Sequence, residues 1–280
     1  MENSSNKIIY IPDGANLELA MHRTTELCFS AHQDDTEFMA FHAIERCFKR
    51  KDEWFTSVIL TDGRGSPRKG RYAGLSEEEM VGARTKEQNK AAKIGKYSVQ
   101  LQLRHKSSDI KKNNQEIMDE IKNIILKCRP NVIYTHNPID KHPTHAAAAL
   151  RVIEAVKELE EDKKPVKLIG LEVWRGLDWV TDDKKLVFDV SKKVKMAKKI
   201  MRVFDSQIAG GKRYDKAVLA RRKANATFLN GHKTDTMKYT EYGIDMSELM
   251  NKSANVIDYV ADLIDVFKGE VTANIKNLSQ

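Results

Sequence analysis

Apolar positions along the chain repeat with two spacings, and the two spacings alternate. Short runs rich in β-branched and aromatic residues, such as Leu27–Ala31 and Phe55–Leu60, are typical of buried strands. Between such runs, apolar residues recur every three or four positions, as they do from Phe38 to Phe48, and this indicates helices. The alternation predicts an α/β fold with a mainly parallel sheet, helices on both faces, and extra helices toward the C-terminal end.

The ends of these patterns set the predicted boundaries. Ser76 and Glu79 form a capping-box pair before a helix that Gly95 is expected to end. Val99–Leu103 alternates apolar and polar residues, as a half-buried strand does. The predicted strands are 27–31, 55–60, 99–103, 131–135, 167–173 and 185–190, and the predicted helices are 36–50, 77–94, 112–128, 145–161, 192–208, 214–228 and 247–268. We interpret residues 1–280 as a single domain, with a core at about 24–190 and a C-terminal helical portion at about 191–280.

Composition narrows the class of protein. The chain has 280 residues, of which 41% are hydrophobic and 31% are charged, as in ordinary globular proteins. No apolar run approaches the ~18–20 residues that a membrane helix needs, and the N-terminal segment lacks the pattern of a secretory signal. The three cysteines lie far apart and are expected to be buried free thiols. Together these features favour a cytoplasmic protein.

The formal net charge of +8 is open to three interpretations: nucleic-acid binding, an anionic substrate, or a lysine-rich solvated surface. Much of the excess is lysine scattered over predicted helix faces, as in residues 191–199, which favours the solvated surface. The chain contains no recognisable nucleic-acid-binding motif. The expected partner is therefore a small molecule. The sequence leaves open whether the chain forms a homo-oligomer.

Imidazole and carboxylate groups follow two predicted strands, at the sheet edge where ligands bind in parallel α/β folds. His32 and Asp35 follow the first strand and His145 follows the later one; together they could hold a catalytic Zn²⁺, or Fe²⁺. Asp34 would then take a proton from the metal-bound water, and His142 would support the oxyanion or protonate the leaving amine. Taken singly, either segment is equally explained by helix capping or surface exposure. Taken together, the segments predict metal-dependent amide hydrolysis.

Several of these segments resemble one protein family. The sequence AHQDDTEFMA at 31–40 resembles the AHPDDE signature of the PIG-L/LmbE-like zinc-dependent N-acetylglucosaminyl deacetylases. HNPIDKHPTH at 136–145 resembles the HPDH segment of that family, and LTDGRGSPRKG at 60–70 resembles its Thr-x-Gly segment. Arg84 and Glu87 match its Arg-x-x-Glu helix. The match is strong over about residues 24–150 and loose afterwards.

The resemblance implies a Rossmann-like fold, a divalent metal that is usually zinc, and removal of an N-acyl group, with acetyl expected, from a GlcNAc-type conjugate. It implies that His32, Asp35 and His145 bind the metal, that Asp34 is the general base, and that His142 supports the oxyanion or acts as the general acid. It also places Arg84 in the substrate pocket, against a sugar hydroxyl or a phosphate. The resemblance does not name the group to which the sugar is linked, because specificity lies in the loops.

The chain departs from the family pattern at three positions. Gln33 replaces the usual Pro, Thr36 replaces the third acid, and Thr144 replaces the Asp of HPDH. In the family, that Asp orients a neighbouring imidazole. Asp140 could substitute for it, and Asp140 is also a candidate substrate-binding residue. A catalytically weak or non-catalytic sugar- or metal-binding homologue is therefore one alternative. A receiver-like phospho-acceptor module, which also has an acidic pair after its first strand, is another.

The remaining candidates lie in loops. The loop after the second strand could be a basic lid over an anionic substrate, with Arg64 as a substrate-binding candidate, or simply an exposed loop; its basic residues are Arg64, Arg68, Lys69 and Arg71. Trp174 and Trp179 follow a late strand and could stack on a sugar or fill the core. His232 lies in a turn-like segment, where exposure to solvent is the expected state.

Overall fold

The computed structural model describes residues 7–280 and contains one eight-stranded sheet. The strands are β1 (Ile8–Tyr10), β2 (Glu26–Ser30), β3 (Phe55–Thr61), β4 (Val99–His105), β5 (Val132–His136), β6 (Lys167–Leu171), β7 (Lys185–Asp189) and β8 (Thr240–Asp245). Their order across the sheet is β1-β4-β3-β2-β5-β6-β8-β7. Strands β4, β3, β2, β5 and β6 are parallel, whereas β1 and β8 run antiparallel to their neighbours. The predicted mainly parallel α/β fold is confirmed.

Helices cover both faces of this sheet. They are α1 (Leu17–His22), α2 (Asp35–Met39), α3 (Phe41–Cys47), α4 (Glu77–Gly95), α5 (Ser107–Ile110), α6 (Gln115–Cys128), α7 (Pro143–Lys157), α8 (Val194–Met201), α9 (Asp205–Ile208), α10 (Tyr214–Phe228) and α11 (Val256–Leu278), with 3₁₀ turns at Gly70–Tyr72, Glu161–Lys163 and Ser247–Met250. One hydrophobic cluster joins the sheet to α1, α6, α7 and the start of α11. The other cluster joins the opposite face to α2, α3, α4, α8 and α10.

Three predicted helices differ from the structure. The helix predicted at 36–50 is two helices that meet at Ala40, where Arg222 Nη2 donates to the carbonyl oxygens of Glu37 and Phe38. The helix predicted at 192–208 is divided into α8 and α9. The last helix starts at Val256 rather than 247 and continues to 278, because Asn255 caps it by accepting the Ile257 N–H.

Two strands (β1 and β8) and two short helices (α1 and α5) were missed, and one strand was wrongly described. Strand β1 has three residues, α1 is short, and β8 inserts antiparallel between β6 and β7. Strand β4 is buried on both faces over most of its length rather than half-buried. Its polar residues are tolerated there because Gln100 Oε1 accepts from Gln88 Nε2 at 3.0 Å and Gln102 Oε1 accepts from Gln33 Nε2 at 3.3 Å.

The order of strands fixes where a ligand would bind. Connections leave β2 toward β3 and β4 on one side, whereas β5 and β6 lie on the other side, so the direction of winding changes between β2 and β5. A crevice forms at the carboxyl ends of the strands at such a point. All three cysteines are buried free thiols, as predicted. Within residues 7–280, no helix has the length and apolarity needed to span a bilayer. The sequence analysis predicts no secretory signal in the N-terminal segment, and residues 1–6 of that segment lie outside the described residues.

Candidate active site

The two segments singled out in the sequence meet at this crevice. Strand β2 pairs in parallel with β5, with Cys28 opposite Tyr134. The chain leaves β2 through His32 and enters α2 at Asp35. It leaves β5 through a loop that ends at α7, whose first turn contains His145. Residues more than a hundred positions apart are thus brought to one edge of the sheet.

Three donor atoms form a nearly equilateral triangle at this edge. His32 Nδ1, Asp35 Oδ2 and His145 Nε2 lie 3.2 Å from one another in each of the three pairings. Asp35 and His145 are buried, His32 is partly exposed, and all three line a cavity of about 650 Å³. The set could hold a metal ion, because each residue offers one ligand atom to the same point.

A second set of three potential ligands lies behind the first. It consists of His136, Asp140 and His145. Only His145 of this set lines the cavity. His136 Nε2 accepts the Ala31 N–H at 2.9 Å, so its lone pair is already used. Of the two sets, His32, Asp35 and His145 are therefore the one open to a ligand.

The charges within the first set support one another. Burial raises the pKa of Asp35, but the positive charge of His145 and the adjacent imidazoles of His136, His145 and His32 outweigh burial and hold that pKa well below its usual range. Burial acts to lower the pKa of His145, whereas Asp35 and Asp140 raise it to about 9. The arrangement therefore favours positive charge at the point between the donors.

Asp34 lies next to this set in an unusual backbone conformation. Its φ of +84° falls outside the common regions for residues other than glycine, and its N–H donates to Gln88 Oε1 at 3.0 Å. Burial raises the pKa of its carboxyl well above the usual range; Arg84 opposes this change, and Asp35 and Glu37 add to it. A carboxyl with a raised pKa beside a metal site has the properties of a general base.

The Arg84 guanidinium is held by protein atoms. Its Nη2 donates to the Gln33 carbonyl oxygen and lies 3.3 Å from Asp34 Oδ2, and its Nη1 donates to Ser66 Oγ. Gly63 has φ +73°, and a Cβ there would clash with Gln33 Oε1 and lie 3.0 Å from the Arg84 side chain. Arg84 lines the cavity, and in this geometry it also positions Asp34.

His142 lies over the ligand histidines at the cavity wall. Its ring stacks on His145 at 4.4 Å and meets His32 edge-on at 5.1 Å. Burial, followed by the positive charges of His145 and His32, lowers its pKa to about 4, so the imidazole is neutral near pH 7. Its Nδ1 is buried and has no hydrogen-bond partner among residues 7–280. Thr144, at the position of the family's Asp, is buried as well.

Asp140 lies beneath the histidines and accepts three hydrogen bonds. Its Oδ1 accepts the His142 N–H at 2.9 Å. Its Oδ2 accepts the Trp174 N–H at 3.1 Å and faces His145 Nδ1 at 3.4 Å. Because Asp140 does not line the cavity, its geometry matches an orienting carboxylate for His145 better than a group that touches substrate.

Two of the four basic residues in the loop after β3, Arg64 and Arg71, form ion pairs with nearby acids. Arg64 forms ion pairs with Asp62 at 2.6 Å and Glu77 at 3.0 Å, and it does not line the cavity. Arg71 pairs with Asp205. Gly63, Gly65, Ser66 and Pro67 are the residues through which this loop contributes to the cavity wall. The loop thus shapes the cavity mainly with backbone and small side chains.

The structure adds residues that the sequence did not single out. Tyr214 lines the cavity from the start of α10, and its ring lies 6.1 Å from that of Trp174, which also lines the cavity. No motif marks Tyr214 in the sequence. Trp179 instead contacts Phe267 at 6.3 Å, and His232 is exposed in its turn. Four cations that the sequence analysis did not propose for the site also line the cavity, namely Lys111, Lys141, Lys212 and Arg221.

Comparison with known proteins gives one family match and several structural matches. Residues 27–156 match the PIG-L family model, described as GlcNAc-PI de-N-acetylase. N,N'-diacetylchitobiose deacetylase from Pyrococcus horikoshii gives a TM-score of 0.63 at 17% identity, covering 81% of this chain and 85% of that chain. GalB, the 4-carboxy-2-hydroxymuconate hydratase from Pseudomonas putida KT2440, gives 0.63 at 17% identity, with 80% and 95% covered. The zinc-inhibited form of teicoplanin deacetylase Orf2 gives 0.59 at 15% identity, with 79% and 97% covered.

The two kinds of comparison carry different weight. At these low identities the structural matches show the fold, and they include a hydratase beside two deacetylases. The family match bears on the site itself, because it runs from Leu27 in β2 to α7 and contains both metal-ligand segments. Residues 27–156 of the chain, which contain both segments, therefore match the PIG-L family model.

Proposed function

We propose that this protein hydrolyses an N-acyl group, with acetyl as the expected one, from an amino sugar or GlcNAc-type conjugate in a metal-dependent reaction. The observation that carries the proposal is the 3.2 Å triangle of His32, Asp35 and His145 donors in a cavity that Asp34 and His142 also line. The PIG-L match supports the reaction class. The fold alone does not choose the reaction, because a hydratase shares it.

The donor set suits zinc. Ligand atoms bound at about 2.0–2.1 Å to a tetrahedral Zn²⁺ lie about 3.3 Å apart, close to the spacing of His32, Asp35 and His145. Two imidazoles and one carboxylate would also accept Fe²⁺. A bound divalent ion supplies a Lewis acid that polarises the amide carbonyl and lowers the pKa of a coordinated water. We assign zinc as the metal and the three residues as its ligands.

The chain's own residues then divide the proton transfers. Asp34, with its raised pKa, accepts the proton of the attacking water, and Arg84 holds its carboxylate in place. His142 is neutral and lies against both ligand histidines, where it supports the developing oxyanion or delivers a proton to the leaving amine. Asp140 fixes the orientation of His145 from behind.

We further propose that the substrate carries a negative charge. Lys111, Lys141 and Lys212 line the cavity, and none of them forms an ion pair with another described residue. Lys141 and Lys212 place their Nζ atoms 5.8 and 5.5 Å from the centre of the Trp174 ring. The acids that line the cavity are Asp34 and Asp35, and both are engaged with other groups. A phosphate or carboxylate on the substrate would balance this excess of positive charge.

The central test measures zinc content and catalytic turnover separately. Purified protein is assayed for zinc content and for amine release from a panel of N-acetylated sugars and conjugates. The Asp34→Asn variant should retain zinc and lose about 10²–10⁴-fold in kcat, because the base is removed and the ligands remain. Asp183→Asn, the same change at an exposed position, is the matched control. Unchanged turnover in Asp34→Asn would remove Asp34 from the mechanism.

The same assays separate the alternatives. Zinc binding with no amine release from any member of the panel would favour a non-catalytic homologue. Tight zinc binding excludes a receiver-like module, which binds Mg²⁺ through oxygen ligands. For the charged substrate, GlcNAc 1-phosphate is compared with GlcNAc. Lys141→Ala and Lys212→Ala should raise KM for the phosphate ester and leave KM for GlcNAc unchanged, with the exposed Lys223→Ala as control.

A further inference from the structure

Helix α11 packs against the body of the protein only in its first part. The helix has 23 residues and would be about 34 Å long at 1.5 Å per residue. Tyr259 is buried, and Val260 and Leu263 are partly buried against the core. Every residue from Ile264 to Leu278 is exposed. In this second part the ring contact between Phe267 and Trp179, at 6.3 Å, joins the helix to the body, and the apolar side chains beyond it stay exposed.

Apolar residues of α11, most of them exposed, form a stripe along one side. The members of this stripe follow one another in steps of three or four residues and are Ile257, Val260, Ile264, Phe267, Val271, Ile275 and Leu278. This spacing is the one that places side chains on a single helix face and that paired helices use at their seam. Ile275 is 59% exposed and Leu278 is 88% exposed, so the stripe continues to the end of the helix.

Charged residues follow one flank of the stripe in a particular order. At about 100° per residue, Asp258, Asp265, Lys268 and Lys276 all project roughly 40–120° to the same side of Ile264. The two acids come first and the two lysines come last. When such a helix meets a copy of itself in the antiparallel direction, the acidic half of each flank faces the basic half of the other. In a parallel pair the two flanks would lie on opposite sides of the seam and would not meet.

We propose that two copies of this chain associate through antiparallel pairing of their α11 stripes. In this arrangement Asp258 lies near Lys276 of the second copy, and Asp265 lies near Lys268 of the second copy. The contact is self-complementary about a two-fold axis near residues 266 and 267, as closed dimers require. The contact surface consists of the apolar stripe together with its charged flanks, and a standard interface buries ~800 Å² per partner.

The charges on α11 argue against a membrane surface as the occupant. Interfacial amphipathic helices carry mainly Lys and Arg on their polar face. Helix α11 instead carries four acidic residues and two lysines, at Asp258, Asp262, Asp265 and Glu270 and at Lys268 and Lys276. Anionic lipid would therefore repel the helix more than it attracts it, whereas a second copy offers both signs of charge in the required order.

The test compares two valines on the same helix. Val271 lies in the stripe and is 39% exposed; Val266 lies on the opposite side and is 41% exposed. Light scattering after size exclusion should give a dimer mass for the full chain at micromolar concentration. Val271→Asp should weaken dimerisation at least about tenfold, because it buries a charge in the apolar seam, and Val266→Asp should leave it unchanged. Circular dichroism and thermal unfolding verify that both variants keep the helix.

Charge reversal tests the direction of pairing. Asp265→Lys and Lys268→Asp should each weaken the dimer at low salt, and the double variant should restore it, since each new charge again faces its opposite in the second copy. A monomer at high micromolar concentration, equal effects of the two valine substitutions, or no rescue in the double variant would each overturn the proposal. Cosedimentation with anionic vesicles, abolished by Val271→Asp, would also overturn it by assigning the stripe to lipid.

Discussion

The hydrogen bonds of Asp140 predict how strongly each of two substitutions at this position should weaken zinc binding. Its Oδ2 accepts hydrogen bonds from His145 Nδ1 and the Trp174 N–H, and its Oδ1 accepts the His142 N–H. In Asp140→Asn the side-chain amide can turn its oxygen toward His145 and Trp174. The hydrogen bonds from His145 Nδ1 and the Trp174 N–H are then kept, and only the hydrogen bond from the His142 N–H is lost. In Asp140→Ala all three are lost. We therefore expect the order of zinc affinity to be wild type, then Asn, then Ala.

The size of each step follows from the lost contacts. Removing the partner of a metal-binding histidine typically costs 10–100-fold in metal affinity, or about 1.4–2.8 kcal/mol, and this range is expected for Asp140→Ala. Asp140→Asn should lose less than about tenfold, because a neutral acceptor still orients His145. Asp140→Ala also leaves the N–H groups of His142 and Trp174 without an acceptor, at about 1–3 kcal/mol each in the free energy of unfolding.

The assay is competition for zinc with a coloured chelator, together with urea unfolding of the metal-free protein. Asp183→Ala, which removes an exposed carboxylate far from these contacts, should change neither quantity and serves as the control. If Asp140→Ala bound zinc as tightly as the wild type, Asp140 would have no part in orienting His145. If Asp140→Asn bound zinc more weakly than Asp140→Ala, the assignment of acceptors to the two oxygens would be incorrect.

Three other substitutions and one treatment test separate parts of the site. Gly63→Ala should lower turnover and cost about 1–3 kcal/mol in urea unfolding, because a Cβ at φ +73° pushes into the side chains that hold the base. Arg222→Met should cost about 3–5 kcal/mol in the same measurement, since it leaves the Glu241 carboxylate buried without its ion pair. Thr144→Asp should raise kcat at unchanged zinc affinity by giving the buried His142 Nδ1 a partner, whereas equal kcat would contradict this reasoning. Chelation should abolish turnover, and added Zn²⁺ should restore it; full activity in the chelated protein would exclude a metal mechanism.

The parts of the molecule that sequence predicted best are those encoded locally. Buried parallel strands are recognisable as short β-branched runs, and the chemistry follows each strand directly, so β2 with His32 and β5 with His145 could be found together. The capping box at Ser76 is equally local, and the structure contains it. In each case a few consecutive residues carry the information that the fold uses.

The parts that sequence missed depend on contacts between distant segments. The break at Ala40 is stabilised by Arg222, nearly two hundred positions later, so no periodicity near residue 40 could reveal it. Tyr214 and Lys212 reach the cavity only because the chain returns across the sheet after β7. The sequence leaves open whether Arg64 belongs to a basic lid or to an exposed loop, because its ion pairs with Asp62 and Glu77 are a property of the folded loop.

Thr144 shows why a departure from a family motif has to be judged in three dimensions. In the sequence, the missing carboxylate puts both neighbouring imidazoles in question. In the structure, Asp140 reaches His145 Nδ1 from the preceding loop, whereas His142 Nδ1 has no partner among residues 7–280. The carboxylate support for His145, the proposed metal ligand, is therefore kept, and that for His142, the proposed acid–base imidazole, is not. Metal binding and turnover should accordingly respond to different carboxylates in this chain, although one short motif contains both histidines.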